Sequence, residues 1–243
     1  MTRRSRVRRV IAGSSATGLL LLGACGAEEP GDPPSSSAAS EPSADTHDVE
    51  RLRDALSAQG SDVAERLDAD STTVTQVESP FPRWRVLEVE DTSGDHPLSW
   101  TFVVNRSGEP RAVNLAADAS AWGQLLEGVQ LTSSSEAREM ATTHLDLTHD
   151  AAEGVYAVST ADDIRWLASD SSNAKESVAS DRERVRDDVH APRVTTSSQG
   201  WKVTLTAMHQ QSLVEHVFTV TRDGAVDETT RTVARDLATR VAH

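Results

Sequence analysis

Apolar residues recur at helical spacing in two long stretches of the chain. Between 48 and 67 they fall at helical spacing with charged residues between them, which predicts an amphipathic helix; these apolar residues are Val49, Leu52, Leu56, Val63 and Leu67. Gly60 is expected to kink this helix or divide it in two. A second helix is predicted over 134–146, where Ser133 and Glu136 have the spacing of a capping box and the apolar residues that follow share one face.

Shorter helices are predicted at three further places. One lies at 119–127, where Asp118 or Ser120 can cap the first turn. The others lie at 164–167 and at 234–241.

Alternation of apolar and polar residues predicts β-strands in both halves of the chain. Val178 and Val185 are the only larger apolar residues between 169 and 188, which predicts an exposed helix or a mobile loop there. The predicted strands lie near 74–77, 84–90, 98–105, 111–116, 155–158 and 194–195, and two more run from Trp201 and through 218–221.

A repeated pattern links the two halves. Residues 84–86 (WRV) correspond to 201–203 (WKV), and residues 102–108 (FVVNRSG) correspond to 218–224 (FTVTRDG). The pattern has two explanations: an internal duplication, or the common sequence of a β-hairpin, in which glycine occupies the turn and alternate apolar residues face the core. Under either explanation the arginine of each motif is expected to stack or pair beside the turn.

This pattern predicts an α+β protein made of two similar units, each a helix followed by an antiparallel β-meander. The units are expected at 47–130 and 131–243. In element order and unit size the body is similar to PepSY-like and to cystatin- or NTF2-like modules. That resemblance implies a concavity between helix and sheet that can bind a ligand, and it assigns no site residue.

The N-terminus carries the most specific motif. Five arginines and an apolar run precede the tetrapeptide Leu22-Gly23-Ala24-Cys25. This segment has the layout of a secretory signal peptide and resembles the lipobox of bacterial lipoproteins. The resemblance implies a signal peptide over 1–24 and acylation of Cys25, with the mature protein anchored on the outer face of the cell membrane. Residues 25–46, rich in Pro, Ser, Ala and acidic residues, are expected to form a disordered tether.

The net charge of the chain limits the kinds of partner that it is expected to bind. Removal of residues 1–24 takes away five arginines and no acidic residue, so 19 basic residues face 38 acidic ones and the mature chain has a formal charge of −19. Nucleic-acid binding is disfavoured, because it requires basic residues that neutralise phosphates. The partners expected are the membrane, through the lipid, and an unknown protein or cationic ligand. The protein is expected to be a monomer.

Motifs for catalysis or metal binding are weak. His144 and His149 are five residues apart and would point in different directions on one continuous helix, so they could converge only if the helix ended between them. His209 and His216 are expected on separate strands, at the surface. Cys25 is the only cysteine, so no zinc site with two thiolates exists. No metal and no cofactor are therefore expected.

Two other patterns were weighed as sites. Ser172 and Lys175 fit Ser-x-x-Lys, but the companion Lys-Thr-Gly motif of penicillin-recognising enzymes is absent from the sequence. The acidic stretches at 68–71 and 91–95 do not continue into a calcium-binding loop, so they are expected to be turns. The sequence thus favours a noncatalytic binding or interaction module without catalytic residues. The alternatives are an envelope hydrolase or transferase, or a small-ligand-binding lipoprotein.

Overall fold

The computed structural model describes residues 44–149, 154–168 and 171–240. The predicted signal peptide, Cys25 and all but the last three residues of the predicted tether lie outside these ranges. Within them, no helix is long and apolar enough to cross a membrane. Both predicted units fall within one compact unit, Ser40–His243.

The first half forms a helical segment and a four-stranded antiparallel sheet, in which β1 (Thr72–Val77), β2 (Trp84–Asp91), β3 (Leu98–Asn105) and β4 (Ala112–Val113) lie side by side in that order. The predicted helix over 48–67 is divided in two, and Gly60 adopts a φ of +69° between the two parts, a conformation that glycine adopts readily. The two helices are α1 (Thr46–Ala58) and α2 (Val63–Arg66).

The second half contains a five-stranded antiparallel sheet. β7 (Gly200–His209) pairs along its length with β5 (Val155–Val158), β6 (Arg193–Thr196) and β8 (Ser212–Thr221). β8 also pairs with the edge strand β9 (Val226–Ala234). Helices together with two antiparallel sheets confirm the α+β prediction. The helical elements are a 3-10 helix (Ala119–Leu125), α3 (Ser134–Thr148), a 3-10 turn (Ala161–Asp163) and α4 (Ser172–Val185).

Helix caps form as the sequence predicts. The Ser133 side chain accepts from the backbone N–H of Glu136, and the Glu136 carboxylate accepts from the backbone N–H of Ser133, which completes the capping box of α3. Asp118 caps the 3-10 helix by accepting from the N–H of Ser120. The capping box fixes where α3 begins, and α3 carries part of the candidate site at its other end.

The largest hydrophobic cluster draws on both halves of the chain. Trp84, Val86 and Val103 of the first sheet belong to it, together with the apolar face of α3 and the face of the second sheet that includes Trp201 and Phe218. A smaller cluster lies between α1 and the opposite face of the first sheet. A third lies beside α4. Helix α3 is therefore buried along one side, and its last turn lies at the edge of the main core.

The repeated motif forms a similar hairpin in each sheet, but with a different register. Phe102 pairs with Leu87, three residues after Trp84, whereas Phe218 pairs with Val203, two residues after Trp201. A shift of one residue turns a side chain to the other face of a sheet. Phe102 accordingly packs in the α1 cluster, while Phe218 packs with Trp201 in the main cluster.

The arginines of the repeat stack or pair beside the turns, as predicted, and each contacts the tryptophan of its own motif. Arg222 lies over the ring of Trp201, 5.4 Å from its centroid. Arg106 donates from Nε to the carbonyl of Trp84 at 3.1 Å. Both arginines therefore pack at the hairpins.

Three segments refine or correct the predicted elements. The predicted helix at 164–167 is wrong, because Trp166 instead forms a β-bridge with Thr239. The predicted helix at 234–241 is also wrong: β9 continues to Ala234, and the chain beyond it is held by that bridge and by the fully buried Leu237. Between 169 and 188 the structure places the exposed helix α4, the first of the two alternatives.

Candidate functional site

Four histidines and one glutamate meet where α3 ends over the second sheet. His144 lies in the last turn of α3, on the face that also carries the buried Ala141 and Leu145. The helix ends at Thr148, and His149 has extended backbone angles, φ −109° and ψ 136°. The helix thus ends between the two histidines, which is the condition under which their side chains can converge.

The second sheet supplies two further histidines. His209 is the last residue of β7, and His216 lies in the middle of β8, so the prediction of separate strands is confirmed. The prediction that both lie at the surface is wrong, because His216 is fully buried and His209 is partly buried. His216 takes an inward position because it alternates in phase with Phe218 and Val220.

Glu228 completes the cluster from the edge strand β9. It pairs in register with Phe218, which places it diagonally beside His216 on the same face of the sheet. Its side chain is 18% exposed, so the carboxylate lies at the border between the core and solvent. The five side chains of this histidine–glutamate cluster are those of His144, His149, His209, His216 and Glu228.

The carboxylate of Glu228 lies at the centre of the cluster. His216 Nδ1 donates to Glu228 Oε1 at 2.5 Å. His149 Nε2 lies 3.7 Å from the same oxygen, and His144 Nδ1 lies 3.7 Å from Oε2. On the far side of the His216 ring, its Nε2 lies 2.8 Å from Nε2 of His209.

Burial and proximity shift the protonation of these groups. Burial lowers the pKa of His144 to about 4, against the opposing attraction of Glu228. Burial likewise lowers the pKa of His209 to about 4. Burial alone would raise the pKa of Glu228, but the neighbouring imidazoles of His149 and His216 hold it well below its ordinary range. Near neutral pH the cluster therefore presents an ionised carboxylate beside at least two neutral imidazoles.

One nitrogen of the cluster is buried without a hydrogen-bond partner. His149 Nε2 lies too far from Glu228 for a hydrogen bond, and no other group in the described part of the chain provides one. An unsatisfied buried polar atom is uncommon in proteins and calls for an explanation, such as an ion. One ligand atom from each of His149, His216 and Glu228 lies within 4.8 Å of the others.

These three groups have the chemistry of a transition-metal site. Zinc binds imidazole nitrogen and carboxylate oxygen at about 2.0–2.2 Å, so two of its tetrahedral ligands are about 3.3 Å apart. The separations of 2.5 Å and 3.7 Å from Glu228 Oε1 bracket that value, and small side-chain movements would bring them to it. His144 Nδ1 lies 3.7 Å from the other oxygen of Glu228, but His144 is not among the three residues whose ligand atoms lie within 4.8 Å of one another.

Aromatic contacts hold the histidine rings in place. The ring of His144 packs edge-on against Trp122, with centroids 4.7 Å apart, and also against Phe218. His216 stacks on Phe218 at 5.8 Å. Thr148 donates to the carbonyl of His144 at 2.7 Å, which stabilises the last turn of α3. The cluster is therefore supported by the core as well as by its own hydrogen bonds.

The other residues weighed from the sequence do not join this site. Asp91 is buried and binds Arg66, Ser71 and the backbone N–H of Ser93, so its carboxylate has a structural role at the end of β2. Ser172 and Lys175 lie exposed in the first turn of α4. Cys25, the predicted lipidation site, lies outside the described residues.

Sequence reasoning identified part of the cluster and missed the rest. It noted His144 and His149 and stated the condition for their convergence. It missed His209, His216 and Glu228 because they come from three different strands. One signal was available: His216 occupies an apolar position in the alternation of β8, and an inward polar residue needs a partner.

Comparisons of the chain with protein-family models, with curated proteins and with solved structures found no match.

Proposed function

We propose that this protein is a lipid-anchored, extracytoplasmic lipoprotein that binds a divalent metal ion without catalysing a reaction. The ligands are His149, His216 and Glu228. The observation that carries the proposal is the convergence of their ligand atoms within 4.8 Å, at a place where the buried Nε2 of His149 has no hydrogen-bond partner. This replaces the sequence-based expectation that no metal binds.

Charge supports a cation as the ligand. An ionised Glu228 supplies one anionic ligand, and a mature chain of formal charge −19 attracts cations over longer distances. A divalent ion would also balance the one carboxylate that the cluster places at the edge of the core. A cationic ligand was one of the partners expected from the sequence.

The nearby His144 favours a binding role over a hydrolytic one, because it could become the fourth ligand. Catalytic zinc sites keep one coordination position open for water, whereas binding and structural sites are closed by a fourth protein ligand. His144 Nδ1 lies 3.7 Å from Glu228 Oε2, and a movement of its ring toward the three ligand atoms would close the site. An envelope hydrolase is the second candidate, favoured if His144 leaves that position to water.

Calorimetric titration with Zn²⁺ tests the metal proposal. We expect the wild-type chain to bind one ion, and Glu228→Gln to weaken binding at least tenfold because it removes the anionic ligand. Asp227→Asn is the matched control, since Asp227 is the exposed neighbour on β9 and the change removes the same charge. The proposal is wrong if the wild-type chain does not bind Zn²⁺, or if both variants bind it equally well.

The anchor is tested separately at Cys25. The lipobox-like tetrapeptide supports acylation of this single cysteine, and two acyl chains are enough for stable membrane attachment. We expect Cys25→Ser to move the protein from the membrane fraction of the producing cells to the soluble fraction. Retention in the membrane fraction would contradict a lipid anchor at this position.

A further inference from the structure

His209 is not one of the three proposed ligands, but it contacts His216, which is one of them. Their Nε2 atoms are 2.8 Å apart, so one nitrogen donates a hydrogen bond and the other accepts it. The two rings are nearly parallel, with an interplanar angle of 22° and centroids 4.9 Å apart. This contact lies on the side of the His216 ring that faces away from Glu228.

The position of Glu228 decides which nitrogen of His216 can bind an ion. Nδ1 lies 2.5 Å from the carboxylate, whereas Nε2 points to His209. An ion shared with Glu228 therefore binds Nδ1. A neutral imidazole carries one proton, so the proton must then reside on Nε2.

The Nε2–H of a metal-bound His216 requires an acceptor, because the side chain is fully buried. His209 Nε2 is the atom in place to accept it. Metal-binding histidines in proteins commonly donate their other ring N–H to such a partner, which fixes the tautomer and the ring orientation. Here that partner is a second imidazole.

We propose that His209 is a positioning residue, which accepts the Nε2–H of His216 and so presents Nδ1 of His216 to an ion of the zinc class. The inference rests on the proposed function. It assigns the ligand class as well, because a site with two or three imidazoles favours Zn²⁺, Co²⁺, Ni²⁺ and Cu²⁺ over Mg²⁺ and Ca²⁺, which prefer oxygen ligands.

Metal binding changes the positions of the protons on His209 and His216 but not their number. Without metal, His216 Nδ1 donates to Glu228 and His216 Nε2 accepts from His209. On binding, the Nδ1 proton leaves to solvent and the shared proton passes from His209 to His216 Nε2. His209 then takes a proton from water on its Nδ1, so the two rings carry two protons in both states.

The geometry argues against His209 as a direct ligand. An ion bound to His209 Nε2 would also have to bind His216 through Nε2, because these two atoms face each other at 2.8 Å. An ion between them would also lie on the side of His216 away from Glu228. Binding through His209 would therefore leave out the one carboxylate of the cluster.

Two substitutions of His209 separate the roles. In His209→Gln the side-chain amide oxygen lies near the former position of Nε2 and can still accept the hydrogen bond from His216. In His209→Leu the acceptor is lost, and His209→Asn, whose amide is too short to reach, serves as a second, polar variant without the acceptor. Each full-length chain is titrated with Zn²⁺, and with Mg²⁺ as the oxygen-preferring probe. The visible absorption of the Co²⁺-loaded protein reports the number and geometry of the ligands.

We expect His209→Gln to keep the Zn²⁺ affinity within about threefold of wild type, and the Leu and Asn variants to lose about 10–100-fold. The Co²⁺ spectrum of the Gln variant should match wild type. If the Gln and Leu variants lose Zn²⁺ affinity equally and the Co²⁺ spectrum changes, the proposal is overturned and His209 is a ligand. If the Leu and Asn variants both keep the wild-type affinity, His209 has no role in metal binding. Failure of the wild-type chain to bind Zn²⁺ would instead overturn the proposed function itself. Thermal unfolding without metal confirms that each variant is folded.

Discussion

The two glycines of the repeated motif provide a matched pair for measuring how tightly the second hairpin is packed. Gly108 and Gly224 occupy the same place in their turns, with φ of +79° and +84°. A Cβ at Gly108 would meet nothing within 4 Å. A Cβ at Gly224 would lie 2.7 Å from Cγ1 of Val129 and 3.2 Å from Cδ2 of Leu126. Substitution by alanine therefore has the same backbone cost in free energy at both sites, and only the packing cost differs between them.

The expected losses follow from these two contributions. A left-handed conformation costs a non-glycine residue about 1–2 kcal/mol, so Gly108→Ala should lower the free energy of unfolding by that amount. Overpacking a filled core adds about 1–3 kcal/mol. Gly224→Ala should therefore cost about 2–5 kcal/mol, because a contact of 2.7 Å forces the neighbouring side chains or the turn to move.

Urea unfolding followed by tryptophan fluorescence measures both variants against wild type. The difference between the two losses isolates the packing of the 221–225 turn against the segment that precedes α3. Equal losses in Gly108→Ala and Gly224→Ala would refute this reasoning. They would mean that the turn moves away from Val129 and Leu126 at little cost.

Further changes test other parts of the fold. Trp122→Phe removes the 3.2 Å hydrogen bond from Nε1–H to the carbonyl of Gly224. Urea unfolding should show a free energy of unfolding lower by about 1–3 kcal/mol. Leu237→Ala, which empties a fully buried position after β9, should cost about 2–4 kcal/mol in the same assay; a loss below 0.5 kcal/mol would contradict the docking of this segment. Hydrogen bonds from the backbone and side chain of Ser93 and from Arg66 lower the pKa of Asp91 below its usual 3.8. The ionised Asp91 therefore stabilises the fold above about pH 4, and this stabilisation is lost as the pH falls below 3.8 and the carboxylate becomes protonated. Asp91→Asn should therefore destabilise the protein at pH 7, and the difference from wild type should shrink in unfolding measurements below about pH 4.

The parts of the fold that follow from local physics could be predicted from the sequence. The capping box at Ser133 and Glu136, the division of the first helix at Gly60 and the strands with clear alternation depend on residues close together in the chain. Register depends on the sheet as a whole. The repeated motif therefore predicted two hairpins and could not show that Phe102 and Phe218 face different clusters.

The two wrong helices have a common physical origin. Residues 164–167 and 234–241 are short segments with few apolar residues, too few for periodicity to separate helix from extended chain. Their conformation is decided by the bridge between Trp166 and Thr239. That contact joins residues 73 positions apart, and neither segment contains a local sign of it.

Sequence patterns indicate only part of the candidate site. His144 and His149 are near neighbours and could be weighed as a pair, but the end of α3 between them had to be known. His209, His216 and Glu228 come together only through the pairing of β7, β8 and β9. A site assembled from four elements carries no short motif, even though each of its residues is of an ordinary metal-binding type.

An anomalous difference map from a Zn²⁺-loaded crystal, recorded at the zinc absorption edge, tests the metal site most directly. We expect one strong peak about 2.0–2.2 Å from Nε2 of His149, Nδ1 of His216 and a carboxylate oxygen of Glu228, with His209 still in contact with His216. A map without a peak between these side chains, with the hydrogen bond from His216 to Glu228 intact, would contradict the account.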